Sequence, residues 1–333
     1  MRIGLSYDLK DAVPLSHSGP EDALEEYDSR ETVDFIAKSL ESGGHTIIRL
    51  GGGNDFLANV QHEKVDIVFN IAEGRGNYRS REAQVPSVLE MLDIPYTGSD
   101  PQCLAICLDK PLTKQIVAGA DVCTPRWCVV SNSRELEETS WQGFPFPAII
   151  KPAYEGSSKG IRLSSLVHSP RQATEMMGQL LERYQQPVML EQFIDGDEIT
   201  VGIIGNSPPR VLGTMRVLPR KKEEHFVYSL EVKRDWKKLV DYECPARLKK
   251  DALAKIEEFS LKAFKVLGCR DFARVDFRVN SGTAYFIEIN PLPGLGDYSD
   301  LVIMAVKLGW SHDALIKAIF SAALERYPLC VRG

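Results

Sequence analysis

Arg274-Val275-Asp276-Phe277-Arg278 and Phe286-Ile287-Glu288-Ile289-Asn290-Pro291 stand close together near the end of a 333-residue chain. Both fall in runs rich in β-branched and aromatic residues, Ala273–Val279 and Ala284–Ile289, which read as strands. Ser281-Gly282-Thr283 between them reads as a hairpin turn. Antiparallel pairing then brings Asp276 near Glu288 and Asn290. These are hard oxygen donors of the kind that suit Mg²⁺ beside nucleotide phosphates. Arg274 is two residues from Asp276, and alternation along a strand puts both on one face. Metal ligands beside a fixed cation are the parts that phosphoryl transfer requires. The simpler alternative is an ordinary hairpin with solvated acids, against which the apolar flanks and the shared face both weigh.

The rest of the chain bounds the answer. Its length suits two or three domains, and 44% hydrophobic with 26% charged residues is ordinary for a globular protein. A net charge of −6 argues against nucleic acid as a partner. The apolar run at Met1–Tyr7 is too short for a signal peptide, and no run approaches membrane-spanning length. A cytoplasmic protein with no membrane partner is expected. The seven cysteines are odd in number and scattered. Cys103 and Cys107 have helical spacing but no second pair to complete a zinc site, so all seven read as reduced thiols, mostly buried.

Periodicity predicts a strand at Arg2–Tyr7, a loop at Pro14–Asp28, a helix at Glu31–Glu41 and strands at His45–Leu50 and Asp66–Asn70. A helix at Pro86–Leu92 and a short strand at Ile94–Gly98 follow. Alternating strands and helices predict a parallel α/β domain over residues 1–105. A helix at Cys103–Ala118, strands at Thr124–Val130, Phe146–Lys151, Val188–Phe193 and Glu198–Gly205, and a helix at Arg171–Tyr184 predict a smaller α+β unit over 106–205. An antiparallel sheet with helices at Lys249–Leu267 and Asp313–Glu325 is expected over 206–333. The fold class is α/β, with α+β character toward the C-terminus.

Two further segments carry chemistry. Lys151 ends a strand and leads into Glu155-Gly156-Ser157-Ser158, a small loop whose amides and hydroxyls suit phosphate. It lacks the Walker spacing and is weak evidence alone. Glu191-Gln192-Phe193-Ile194 and Glu198 put acids at a strand edge, where an exposed structural acid is the simpler reading. Lys110 is an isolated cation one domain ahead of Lys151.

Taken in order, Lys110, Lys151 with its Glu-Gly-Ser-Ser loop, Glu191 with Glu198, Arg274-x-Asp276 and Glu288-x-Asn290-Pro291 resemble the ATP-grasp superfamily. Ile94-Pro95-Tyr96-Thr97-Gly98-Ser99 and Pro293-Gly294 narrow the resemblance to the D-alanine–D-alanine ligase family, over about residues 66–309. The resemblance implies a three-domain ATP-grasp fold and an ATP-dependent carboxylate–amine ligase working through an acyl phosphate. It implies ATP and two Mg²⁺ ions, with Mn²⁺ as an alternative. It implies amino-acid carboxylate and amine substrates, and a homodimer. Lys110 and Lys151 would meet the phosphates and base, and Glu155, Gly156, Ser157 and Ser158 would close over them. Glu191, Phe193, Ile194 and Glu198 would hold adenine and ribose. Asp276, Glu288 and Asn290 would bind metal. Arg274, Lys233, Ser157 and the Gly294 amide would serve catalysis.

The departures fall on the substrate side. The Glu-x-x-Val-Ser motif that holds the first amino acid's ammonium in the family is missing from Met1–Ser42, leaving Asp8 or Asp11 as substitutes. Glu73 stands where the family has histidine, in a region made charge-rich by Tyr78-Arg79-Ser80-Arg81-Glu82. Arg234, after the matching Lys233, stands where tyrosine is typical. Ser299-Asp300 replaces Ser-Leu, and the added acid favours an amine-bearing partner. Glu73, Arg234, Ser299 and Asp300 are therefore the candidate substrate residues. The product is D-Ala–D-Ala or a specialised-metabolite amide. A ligase acting on protein tails, a nucleotide-binding regulator and a carboxylase subunit are the competing classes. Intact metal ligands argue against the regulator, and the short chain argues against the carboxylase.

Overall fold

The computed structural model describes residues 1–13, 19–328 and 330, so residues 14–18 of the expected loop lie outside it. Strands β1 (Arg2–Ser6), β2 (Thr46–Gly51) and β3 (Ile67–Asn70) form a parallel sheet in the order β2-β1-β3. The helix Arg30–Ser42 covers it. Ser29 caps that helix by accepting from the Thr32 amide, and Val33, Ile36, Ala37 and Leu40 recur at helical spacing and are buried. A helix at Gly53–His62, which opens on glycine, was not anticipated. The strand expected at Ile94–Gly98 is only a bridge between Val68 and Tyr96.

The helix expected at Cys103–Ala118 is two helices, Pro101–Leu108 and Lys110–Gly119. Pro111 cannot donate a backbone hydrogen bond, so the chain restarts at Asp109, whose carboxylate accepts from the Leu112 amide at 3.1 Å. The Lys110 amide then donates to the Ala153 carbonyl at 3.2 Å, which anchors the lysine beside the loop after residue 152.

Strands β4 (Trp127–Val130), β5 (Ala148–Pro152), β6 (Leu166–Val167) and β7 (Val188–Gln192) form a second sheet in the order β4-β7-β5-β6. The helix Pro170–Tyr184 buries Ala173, Met177 and Leu180 against it. The chain then turns at Asp195-Gly196. Strand β8 (Asp197–Ile204), which the sequence reading assigned to this smaller unit, instead joins the third sheet. That sheet adds β9 (Arg210–Pro219), β10 (Val240–Glu243), β11 (Phe272–Asn280) and β12 (Thr283–Asn290) in the order β10-β9-β8-β11-β12. The reason is tertiary: β8 pairs with β11 along its whole length, from Asp197 opposite Val279 to Ile204 opposite Phe272.

The helix Lys250–Val266 packs Ile256, Phe259, Ala263 and Phe264 behind this third sheet. The last helices, Asp300–Lys307 and His312–Arg326, pack elsewhere. Val302, Ile316 and Phe320 share one core with Ile3, Leu5, Ile36 and Leu40, so the end of the chain closes against its beginning.

Candidate active site

The β11–β12 hairpin forms as expected, turning on Ser281 and Gly282, both with positive φ (50° and 88°). Its register sets Asp276 directly opposite Glu288 and Arg274 opposite Asn290. On the other side of β11, Thr200 of β8 faces Asp276 and donates its hydroxyl to Oδ1 at 3.0 Å. Arg274 Nη2 donates to Asp276 Oδ2 at 2.8 Å and lies 3.7 Å from Glu288, while Nη1 lies 4.0 Å from Asp300. One buried guanidinium thus faces three carboxylates.

The charges of this group are unequal. Burial, only partly offset by Arg274 and reinforced by Glu288, raises the Asp276 carboxyl to about 6. Glu288 is also pushed up by desolvation, but Lys110, Lys151, Arg274 and Lys233 outweigh that and hold it at about 2. Lys110 Nζ lies 3.8 Å from Glu288 and also reaches the Glu155 carbonyl.

A cavity opens beside the hairpin, between the second and third sheets. Lys151, Ser158, Glu191, Phe193, Ile194, Glu198, Lys233, Asp276, Glu288 and Asp300 all line it. A smaller adjoining cavity is lined by Lys110, Glu155, Gly156, Ser157, Glu288 and Asn290. Ser157 and Ser158 both take left-handed backbone angles (φ 50° and 60°), a local strain of the kind that functional loops carry. Asn290 Oδ1 accepts from the Leu292 amide at 2.9 Å. Glu288 borders both cavities, Asp276 the first and Asn290 the second, and all three carry hard oxygens of the type that Mg²⁺ takes.

The acids expected at the base end are already paired. Glu191 Oε1 accepts from Lys151 Nζ at 3.0 Å, and Oε2 lies 2.5 Å from Lys114 Nζ. Glu198 pairs with Arg278 at 2.6 Å, and Arg278 also lies 4.7 Å from the centre of the Phe193 ring. Lys114, Thr200, Tyr228 and Arg278 were missed by the sequence reading. Lys114 is fully buried, and burial brings its ammonium down to about 8. Its signal was available, since it follows Lys110 by one helical turn.

The remaining candidates fall at several places, with Asp300 in the lining of the main cavity. Gly294 is exposed and close to Ser299, whose Oγ would stand 3.0 Å from a Cβ built on it. Asp300 is buried, accepting from Tyr228 Oη at 3.1 Å. Arg234 is exposed and turned toward Glu25, 2.6 Å away. Asp8 and Asp11, the expected stand-ins for the family's glutamate, are both engaged elsewhere. Asp8 accepts from the Gly74 amide and pairs with Arg75, each at 2.9 Å. Asp11 pairs with Arg30 on the surface at 2.7 Å. Burial raises the carboxyls of Asp28 and Glu82 to about 7 each, Asp8 adding to the first and Glu26 to the second against an opposing Arg81. Glu73 is raised as well, by burial and then by Glu82, Glu26 and Asp28.

A family model described as D-ala D-ala ligase C-terminus matches residues 116–321. The D-alanine–D-alanine ligase of Aquifex aeolicus is 35% identical over 295 residues, which cover 88% of this chain and 94% of that one. An uncharacterised protein of Sinorhizobium fredii, y4sG, is 31% identical over 304 residues, 88% of each chain. The crystal structure of the Bacillus anthracis D-alanine–D-alanine ligase complexed with ATP superposes with a TM-score of 0.75 at 23% identity, covering 98% of both chains, a likeness that speaks for the fold. The matched model, the relatives and the shared fold agree with the hairpin and its lysines: the chain belongs to the D-alanine–D-alanine ligase family of ATP-grasp enzymes.

Proposed function

We propose that this chain is an ATP-dependent ligase that joins a carboxylate to an amine, with amino acids as substrates and an acyl phosphate between the two steps. The observation that supports this most is the facing of Asp276 and Glu288 across one hairpin, bridged by Arg274, at a cavity that also holds Lys151. Asp276, Glu288 and Asn290 would hold two Mg²⁺ ions, which would neutralise phosphate charge when bound. Mn²⁺ could replace them. Lys110 and Lys151 would meet phosphate oxygens, and the Glu155–Ser158 loop would cover them. Glu191 and Glu198 would stand at the base and ribose end. Each is already paired with a cation, so they would act as much by aligning Lys151 and Arg278 as by touching the nucleotide.

Arg274 would stabilise negative charge in both steps, joined by Lys233, Ser157 and the Gly294 amide. Closure of the loops would keep water from the activated carboxyl. On the substrate side, Glu73 would take the ammonium in place of the missing glutamate, next to Asp28 and Glu82. Asp300 occupies one side of Arg274 and would disfavour a second carboxylate there, so an amine bearing extra positive charge or lacking an α-carboxylate suits the site. Ser299 would face that amine. Arg234 would act indirectly by holding its helix to Glu25. A cytoplasmic homodimer completes the proposal, with an N-terminal domain at 1–105, a central unit from 106 to the turn at Asp195-Gly196, and a last unit that takes in β8.

The test is ADP release with Mg-ATP across D- and L-amino acids, singly and in pairs, with product masses determined. A dipeptide from D-Ala alone identifies a D-Ala–D-Ala ligase. Turnover with another acid–amine pair identifies a rebuilt pocket. A chain that binds Mg-ATP yet releases no ADP with any pair is not a ligase of this kind.

A further inference from the structure

Three cysteines meet in the core behind the hairpin. Cys103 and Cys107 lie one turn apart on the helix Pro101–Leu108, and Cys269 follows the helix Lys250–Val266. The sequence spacing showed only the first two. Cys103 Sγ lies 3.9 Å from Cys107 Sγ and 3.6 Å from Cys269 Sγ, and all three sulfurs fall within 4.8 Å of one another. They are 1%, 6% and 8% exposed. The other cysteines (Cys123, Cys128, Cys244 and Cys330) are less buried and outside the group.

The triangle has the size of a coordination site. Three sulfurs around one atom, each at a metal–thiolate bond length of about 2.3 Å, stand about 4 Å apart. A central atom therefore fits with small side-chain shifts. Thiols in this arrangement favour soft, thiophilic centres.

Charge decides which centre. The sulfurs sit in an apolar cluster with Phe264, Leu267 and Ala273. Among the described residues the nearby cations are committed to acids, Arg270 to Asp100 at 2.6 Å and Lys110 to Glu288 at 3.8 Å, while Asp100 and Glu82 bear on the sulfurs with negative charge. Three thiolates leave a net −2 around a cuprous ion and −1 around zinc, a poor outcome in an apolar interior with no free compensating cation among the described residues. A trivalent centre bonded to three thiolates is neutral.

We propose that Cys103, Cys107 and Cys269 form a three-thiol site for a trivalent thiophile of the arsenite class. Arsenous acid, As(OH)₃, is uncharged at neutral pH and condenses with three Cys–SH groups. Three As–S bonds form, three As–O and three S–H bonds break, and three waters leave. No oxidation state changes, so no further reactant is required. Entry runs by Cys107, which lines the small cavity it shares with Lys110, Glu288 and Asn290.

The full chain, kept reduced, is mixed with arsenite, desalted and weighed by mass spectrometry. The expected adduct adds one arsenic atom less three protons, and removes three of the seven thiols from alkylation. Cys103→Ala and Cys269→Ala should each abolish that mass. The combined variant Cys123→Ala, Cys128→Ala, Cys244→Ala and Cys330→Ala leaves the core intact and should retain it. An adduct that keeps a hydroxyl on arsenic, or that disappears in the combined variant, overturns the site. Displacement of arsenite by equimolar zinc or cuprous ion overturns the trivalent assignment. None of these readouts involves nucleotide or amino acid, so they stand apart from the ligase reading.

Discussion

Arg274 is held by the groups it serves. Asp276 takes two of its donors, while Glu288 and Asp300 lie 3.7 and 4.0 Å away, so the guanidinium is fixed before any substrate arrives. Such preorganisation contributes to a transition state more than to ground-state binding. Arg274→Ala is therefore expected to lower kcat about 10²- to 10³-fold while the KM for ATP changes little. Steady-state kinetics of ADP release checks it, and a large rise in KM at unchanged kcat would refute the role. Asp28 makes a second residue-scale case. Its carboxyl titrates near 7 in the folded protein, against 3.8 for the ordinary group, because it is buried beside Asp8. The native chain then holds a proton that the unfolded chain has released, so this group's contribution to stability falls as pH rises from about 4 to about 7 and is flat above. Asp28→Asn should make the protein more stable near pH 8, by at most about 4 kcal/mol, and the gain should shrink near pH 5. Urea unfolding at the two pH values measures it. A gain of the same size at both would mean that Asp28 is ionised throughout.

At the scale of elements, the hairpin was legible because its information is local. Two runs of alternating β-formers flank a turn, which fixes the pairing from Asn280–Thr283 to Phe277–Phe286; a register shift at Ile287, which turn length does not give, then sets Asp276 opposite Glu288. The amphipathic helices Arg30–Ser42, Pro170–Tyr184 and Lys250–Val266 were legible for the same reason, their buried residues recurring at helical spacing. The break at Asp109 was marked by Pro111 but overridden by continuous apolar periodicity. Glycine at the start of Gly53–His62 hid a helix that tertiary packing of Phe56 and Val60 sustains. The sheet to which β8 belongs has no local signal at all, since strand partners are chosen across the chain. What redirects β8 is the turn at Gly196. Its φ is +126°, and a Cβ there would sit 2.1 Å from the Val279 carbonyl oxygen. No side chain fits without moving β11. Gly196→Ala is expected to cost about 3 kcal/mol. Because Ile194 and Glu198 flank this turn and both line the main cavity, affinity for a non-hydrolysable ATP analogue should fall with it. An unchanged urea midpoint would show that the turn relaxes freely.

Across the whole molecule, a polar core ties the N-terminal segment to the loop that borders the candidate site. Glu26 pairs with Arg81 at 2.7 Å and Lys159 at 3.1 Å. Glu155 pairs with the same two cations at 3.2 and 2.5 Å and accepts from Gln186 at 2.7 Å. Nearby, Asp22 accepts from Tyr184 Oη at 2.8 Å and from the Gly160 amide at 2.9 Å. None of this was legible in the sequence: Glu26 stands in a segment read as a polar loop, and its partner Lys159 is 133 residues away. The arrangement also corrects the reading of Glu155, whose carboxylate faces this network while its backbone borders the smaller cavity. Buried ion networks do not by themselves add stability, because desolvation offsets attraction, but removing one member strands the others. The Arg81 side chain is 1% exposed and cannot turn to water. Glu26→Gln is therefore expected to cost about 3 kcal/mol, near the lower end for breaking a buried pair, because Glu155 still engages both cations. Glu155→Gln should cost a similar amount, and the double variant more than the sum, since each acid is the other's replacement. Urea unfolding of the three variants tests this. Additive costs would mean that the two acids act independently. Limited proteolysis supplies the structural half of the test: cleavage within residues 153–162 should quicken in Glu26→Gln if the segment around Glu26 holds that loop in place. An unchanged cleavage rate would leave the network a local feature of the N-terminal core, with no hold on the loop beside the smaller cavity.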